Sequence, residues 1–284
     1  MRDLAGGGLE WLSLNWATVR EQWDLAQTIE GCARHRIPGI APWREPVHAL
    51  GVAEAGRRIR DAGLRVSGYC RAGLFPAADE AGLRAAIDDT RRATDEAAAI
   101  GAECLVTLGG GMPPGSKDLA LARGQARDGL AAVLPHARGR GVALAIEPLH
   151  PMYAADRCCV STLKQANDLC DELDPEGEGG LGVAIDVYHV FWDPELEREV
   201  ARAGAAGRIL AFHVCDWLVP TRDMLLDRGM MGDGVIDIPR IRGLVEAAGY
   251  DGLIEVEIFS KLDWWRRDPD EVIAVIAERC RSVV

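Results

Sequence analysis

The sequence has no apolar run approaching the roughly 18 residues that a membrane-crossing helix needs, and its opening, MRDLAGGGLEWLS, lacks the apolar stretch of a secretory signal. A soluble, cytoplasmic protein without a membrane partner is expected. Positive charge is in deficit: 32 Lys and Arg face 44 Asp and Glu, a formal net charge of −12. That balance excludes broad binding to nucleic acid but not a small anionic ligand in a locally basic pocket. No two cysteines form a C-x-x-C pair. Cys32, Cys70, Cys104, Cys158, Cys159, Cys170, Cys215 and Cys280 are scattered, several in apolar segments, so buried free thiols are expected. The adjacent Cys158-Cys159 is the redox alternative. No G-x-G-x-x-G follows the first apolar strand. GGG at 6–8 precedes it, and GGGMPPG at 109–115 lacks the ending of a phosphate-binding loop, so both read as loops. No composition break marks a domain boundary, and DPEGEGG at 174–180 is short enough for a turn. One domain over 1–284 is expected.

What is present is a repeat. Apolar runs WLSLN (11–15), GIAPW (39–43), RVSGYC (65–70), CLVTLGG (104–110), ALAIEP (143–148), GVAIDV (182–187), ILAFHV (209–214) and LIEVEIF (253–259) read as strands. Longer segments of helical spacing lie between them. In 84–102, Ile87, Ala93, Ala97 and Ile100 share one face. Gly63, Gly101, Gly141 and Gly249 stand where helices should stop before the next strand. Eight β-then-α units predict an α/β fold, a single (β/α)8 TIM barrel, over an open doubly wound sheet.

In such a barrel the chemistry sits at the C-terminal strand ends. The last four strands end in Glu147, Asp186, His213 and Glu257, each after an apolar run. Alternation puts Glu255 on the same face as Glu257, so the last assignment is open by two residues, with Glu257 preferred. One strand-end carboxylate is usually a cap or an ion pair. Three converging ones repel unless a cation sits between them. Oxygen donors with one imidazole suit Mn²⁺ best, then Mg²⁺ or Co²⁺, with Zn²⁺ or Fe²⁺ also able to bind.

With IEPLHP, DVYH, FHVCDW, GDGVID and VEIFS, this set resembles the xylose isomerase-like barrel superfamily of sugar isomerases and epimerases, over nearly the whole chain. The resemblance implies that Glu147, Asp186, His213 and Glu257 bind a divalent metal and that His189, three residues after the metal aspartate, binds substrate hydroxyls. Two positions depart from the epimerase pattern. Val219 stands where an arginine is expected after the metal histidine, leaving Arg222 as the nearest candidate, and Tyr153 replaces a substrate-contacting glutamate.

The implied activity is isomerisation or epimerisation of a sugar, keto-sugar or inositol derivative, through an enediolate stabilised by the cation, with Glu147 and Glu257 moving the proton. Elimination by a lyase shares the same first step. A non-catalytic metal-binding partner subunit is the reading from another class, and a nuclease of the endonuclease IV kind is disfavoured by the acidic balance and by only six histidines. His150, Tyr153, Arg222, Trp43 and Trp217 complete the expected substrate contacts. The rim tryptophans suit a sugar ring or cyclic polyol but also an interface, leaving room for a homo-oligomer. Asp216 is expected to support a ligand or loop, and the Gly- and Met-rich 222–237 is expected to be a lid, with a subunit contact as the alternative. No phosphate cradle is visible, which favours a non-phosphorylated substrate.

Overall fold

The computed structural model describes residues 2–4, 7 and 9–284; Gly6 and Gly8 of the GGG loop lie outside them. Strands β1 (Leu12–Asn15), β2 (Gly39–Ala41), β3 (Arg65–Val66), β4 (Tyr69–Gly73), β5 (Cys104–Leu108), β6 (Ala143–Ile146), β7 (Leu181–Asp186) and β8 (Ile209–Val214) precede a small antiparallel ribbon. That ribbon pairs β9 (Asp216–Trp217) with β10 (Arg228–Gly229), and β11 (Ile254–Val256) completes the main sheet. Between the strands lie helices α1 (Leu25–His35), α2 (Arg44–Leu50), α3 (Val52–Asp61), α4 (Glu80–Ile100), α5 (Leu119–Arg140) and α6 (Leu163–Leu173). Four more, α7 (Val187–Val190), α8 (Leu196–Ala205), α9 (Ile238–Ala247) and α10 (Pro269–Ser282), complete the set.

The nine parallel strands run in the spatial order β3-β2-β1-β11-β8-β7-β6-β5-β4. β3 and β4 are two halves of one stave, parted at Ser67-Gly68. Bridges from Val66 to Ala102 and from Cys70 to Trp43 bring the sheet nearly to closure as a single (β/α)8 barrel. The expected strand RVSGYC is therefore present but broken. At the break Ser67 turns its hydroxyl inward onto Glu255, 2.7 Å away.

Strand alternation decides what faces the axis. Leu12 and Leu14, Leu144 and Ile146, Val183 and Ile185, Phe212 and Val214, and Ile254 and Val256 all belong to the main apolar core. The residues between them face inward: Ser13 and Asn15, Ala145, Ala184 and Ala211 with Cys104 in a separate small-residue cluster, and then the polar residues at the strand ends. Aliphatic side chains thus fix the staves to the helices, while small ones leave the axis narrow. The upper axis is left for polar groups.

Helix ends follow local rules. Asp79 caps α4 by accepting from the Gly82 N–H at 2.8 Å, and Gly101 and Gly141 stop α4 and α5 in the left-handed conformation. All eight cysteines are free and buried. Among the described residues no helix is long and apolar enough to cross a membrane.

Candidate metal centre and substrate cavity

Glu147 follows β6 directly, its N–H bonded to the Thr107 carbonyl at 3.1 Å. Asp186 ends β7 and is in register with His213 of β8. Because parallel strands keep these ends level, donor atoms of Glu147, Asp186 and His213 come within 4.8 Å of one another. His213 Nδ1 lies 2.9 Å from Glu147 Oε1. Its Nε2 is buried without a hydrogen-bond partner, Glu255 Oε1 standing off at 3.5 Å.

Glu257 and Glu255 have different surroundings. Glu255 accepts from Asn15 Nδ2 and from Ser67 Oγ, each at 2.7 Å, and lies below the cavity. Glu257 lines the cavity and is held by Asn15 Nδ2 and Arg228 Nη1, both at 3.1 Å. Glu257 thus stands beside the three-residue cluster, joined to it through Arg228.

Arg228 is the residue that spacing along the chain did not reveal. Its guanidinium is fully buried, 3.1 Å from Asp186 Oδ2 and 3.2 Å from His189 Nε2, with the ring of Tyr188 4.4 Å from its centre. It enters from the 218–236 loop, which Asp216 folds back by accepting the backbone N–H groups of Trp217, Gly232, Gly234 and Ile236 at 2.9–3.0 Å. Of the loop's methionines Met230 and Met231 are buried and Met224 is exposed, and Leu225 and Leu226 line the cavity. A buried cation needs anionic company, and the one sequence signal was an arginine beside a Gly-rich stretch, in DRGMMGDG.

Four carboxylates cluster here, Asp186 and Glu257 against the Arg228 guanidinium and Glu147 and Glu255 against His213. Burial pushes Asp186 and Glu257 above the usual carboxylate range, with Arg228 opposing. Burial disfavours a charged His213, but Glu255 and Glu147 outweigh it and hold its pKa well above the ordinary value. Burial, aided by Arg228, drives His189 well below it. Excess negative charge, an orphaned imidazole nitrogen and a hard oxygen-rich donor set fit a divalent cation.

The cavity above has a volume of about 580 Å³. Trp43, Tyr153 and His189 line it with Glu147, Glu257 and Arg228. Three other expected contacts lie elsewhere. Arg222 is half-exposed and ion-paired to Asp227. His150 caps a short helical turn, its Nδ1 accepting from the Met152 N–H at 3.2 Å, and packs on Trp192 and Trp217. Trp217 stacks on Tyr188 with ring centres 4.6 Å apart. His35, His48 and His136 sit on helices against Asp270, Glu96 and Asp95, remote from the cluster.

Fold and site define a (β/α)8 barrel with an acid–histidine cluster at its C-terminal mouth. Residues 27–278 match the xylose isomerase-like TIM barrel family, and the chain belongs to that family. It is similar to protein SMc04130 of Sinorhizobium meliloti 1021, at 59% identity over 97% of this chain and 98% of that one, with a TM-score of 0.94. It shares the fold of the IOLI protein, solved with a binding zinc atom, at 19% identity, 96% and 97% coverage and TM-score 0.81. It also shares that of 3-keto-D-glucoside 4-epimerase YcjR from E. coli, at 16% identity, 96% and 99% coverage and TM-score 0.74. No curated protein matches the sequence.

Proposed function

We propose that this protein is a divalent-metal-dependent isomerase or epimerase of a sugar, keto-sugar or cyclic polyol derivative, working by proton transfer beside a carbonyl. One observation carries the reading: two buried carboxylates, Glu147 and Glu257, face the same cavity from different strands, beside Asp186 and His213. Family membership and the sugar epimerase among the structural neighbours support it.

Glu147, Asp186, His213 and Glu257 would hold the ion; Mn²⁺ suits this donor set, and Mg²⁺, Co²⁺, Zn²⁺ or Fe²⁺ can substitute. When bound, the ion supplies Lewis-acid stabilisation of charge developing on a carbonyl oxygen. Glu257 or Glu147, ionised, takes the proton from the carbon beside the carbonyl, and the other, protonated, delivers its own; both re-equilibrate with solvent between turnovers. Arg228 and His189 orient the hydroxyls, and Trp43 and Tyr153 form flat walls that exclude water from the reacting face. Delivery to the opposite face inverts the centre; delivery to the neighbouring carbon, with the hydroxyl proton passing to the former carbonyl oxygen, moves the carbonyl.

A panel of keto-sugars and inososes, incubated with the Mn²⁺-loaded protein in D₂O and followed by NMR, tests this. Deuterium should enter at the carbon beside the carbonyl of the true substrate, and a chelator should stop it. Turnover undiminished by a chelator, or product formed by loss of water, would overturn it.

A further inference from the structure

We propose that the substrate carries an anionic group, a carboxylate or a phosphate, which the cationic mouth of this cavity binds while the reacting carbons lie against Glu147 and Glu257. This deepens the isomerase reading and rests on it. The observation is a reversal of charge. On a chain of net charge −12, the cavity wall above the buried floor presents Arg20, Arg71, Arg157, Lys261 and Arg266 against Glu21 alone.

These cations are also unusually free. Most arginines of the chain are locked to carboxylates, as Arg57 is by Glu54 and Asp61, and Arg202 by Asp168, Asp171 and Glu199. Among the described residues Arg71, Lys261 and Arg266 are in no ion pair. Arg20 has Glu21 at 3.6 Å and Arg157 has the exposed Asp156 at 3.9 Å, both long contacts.

Aromatic faces hold three of the guanidiniums in place without neutralising them, Arg20 lying 5.3 Å from the Trp16 ring centre and 5.8 Å from that of Trp265. Arg71 lies 5.5 Å from the Trp43 ring centre and Arg157 lies 5.6 Å from that of Tyr153. A wall of cations that are unpaired or only loosely paired repels itself, and an anionic ligand offsets that repulsion with charge-assisted hydrogen bonds. The cations come from the loops after β1, β6 and β11 and from β4 itself, so no contiguous phosphate-binding motif exists to be read. The barrel assembles the patch.

The test is calorimetry on the metal-loaded protein with D-fructose, D-fructuronate and D-fructose 6-phosphate, which share a keto-sugar head and differ at the far carbon. The charged probes should bind at least about tenfold tighter than D-fructose in dilute salt, and the gap should close in about 0.5 M salt. Tightest binding of the uronate assigns a sugar acid; tightest binding of the phosphate assigns a sugar phosphate. Arg71→Gln should narrow the gap and Arg71→Lys should keep part of it. Lys261→Gln, at an exposed position whose side chain is in no ion pair among the described residues, should narrow it independently. Equal or tighter binding of D-fructose, binding by no charged probe, or a gap unmoved by these variants would overturn the proposal. Binding is read without turnover, so loss of the charge preference overturns this proposal alone, while the chelator and deuterium results decide the isomerase reading separately.

Discussion

Arg228 connects Asp186, Glu257 and His189 through one guanidinium, two of those contacts at 3.1 Å and one at 3.2 Å. A lysine would keep the charge but cannot fork between partners, so Arg228→Lys should leave circular dichroism and metal content unchanged. Its kcat/KM should fall about a hundredfold. Unchanged kinetics would show that the guanidinium only balances charge. Glu257→Gln is the complementary change: the fold should persist and turnover should be lost, and full activity with full metal content would remove Glu257 from the site. At this scale Glu147, Asp186 and His213 were legible because each ends a strand, and parallel staves bring strand ends together. Arg228 was not legible. Its position depends on how a long loop doubles back, and spacing along the chain pointed to Val219 and Arg222 instead. Arg222 turns away because Asp227, five residues on, captures it.

The 218–236 loop depends on one carboxylate. Both Asp216 oxygens accept two backbone N–H groups each, so Asp216→Asn presents an amide donor to two of these donors. That substitution should cost about 2–3 kcal/mol locally and release the loop to proteases. Gly234→Ala should do the same, since a Cβ there would lie 2.2 Å from the Trp217 carbonyl oxygen. Protease resistance equal to wild type in both variants would contradict the clamp. The sequence suggested a lid here, and its glycines and methionines were the signal. In the structure Met230 and Met231 are buried while Met224 is exposed, so the part of the segment that carries Arg228 is packed into the wall of the cavity.

A second element-scale link is Glu96 on α4, which accepts from Arg44 Nε at 3.0 Å and Tyr69 Oη at 3.1 Å and meets His48 Nε2 at 2.9 Å. Burial would raise its pKa, but Arg44 and His48 outweigh it and hold it below the ordinary 4.5. A depressed carboxylate stabilises the fold above its unfolded value and loses that contribution as pH falls through the folded one. Glu96→Gln should therefore cost about 1–2 kcal/mol at neutral pH in denaturant melts. The deficit should shrink below pH 4.5, and a deficit constant with pH would count against the ion pairs as its source.

For the whole molecule, eight strand–helix units could be read along the chain because aliphatic alternation and glycine stops are local signals. The division of the third stave at Ser67-Gly68 could not, since it reflects a contact with Glu255, far away in sequence. Nor could the cationic mouth, which several separate segments assemble. If the acid–histidine cluster holds a divalent ion, binding couples to global stability. Saturation to about a hundred times the dissociation constant should add about 2.7 kcal/mol, a rise of several degrees in Tm. Asp186→Asn should abolish the rise; a rise that survives it would place the ion elsewhere. The central claim is that Glu147, Asp186, His213 and Glu257 surround one cation. Anomalous diffraction from crystals soaked in Mn²⁺ tests it most directly. One strong peak bonded to all four side chains is predicted. Saturated crystals with no peak among them, or with Mn²⁺ bound only at the surface, would contradict it.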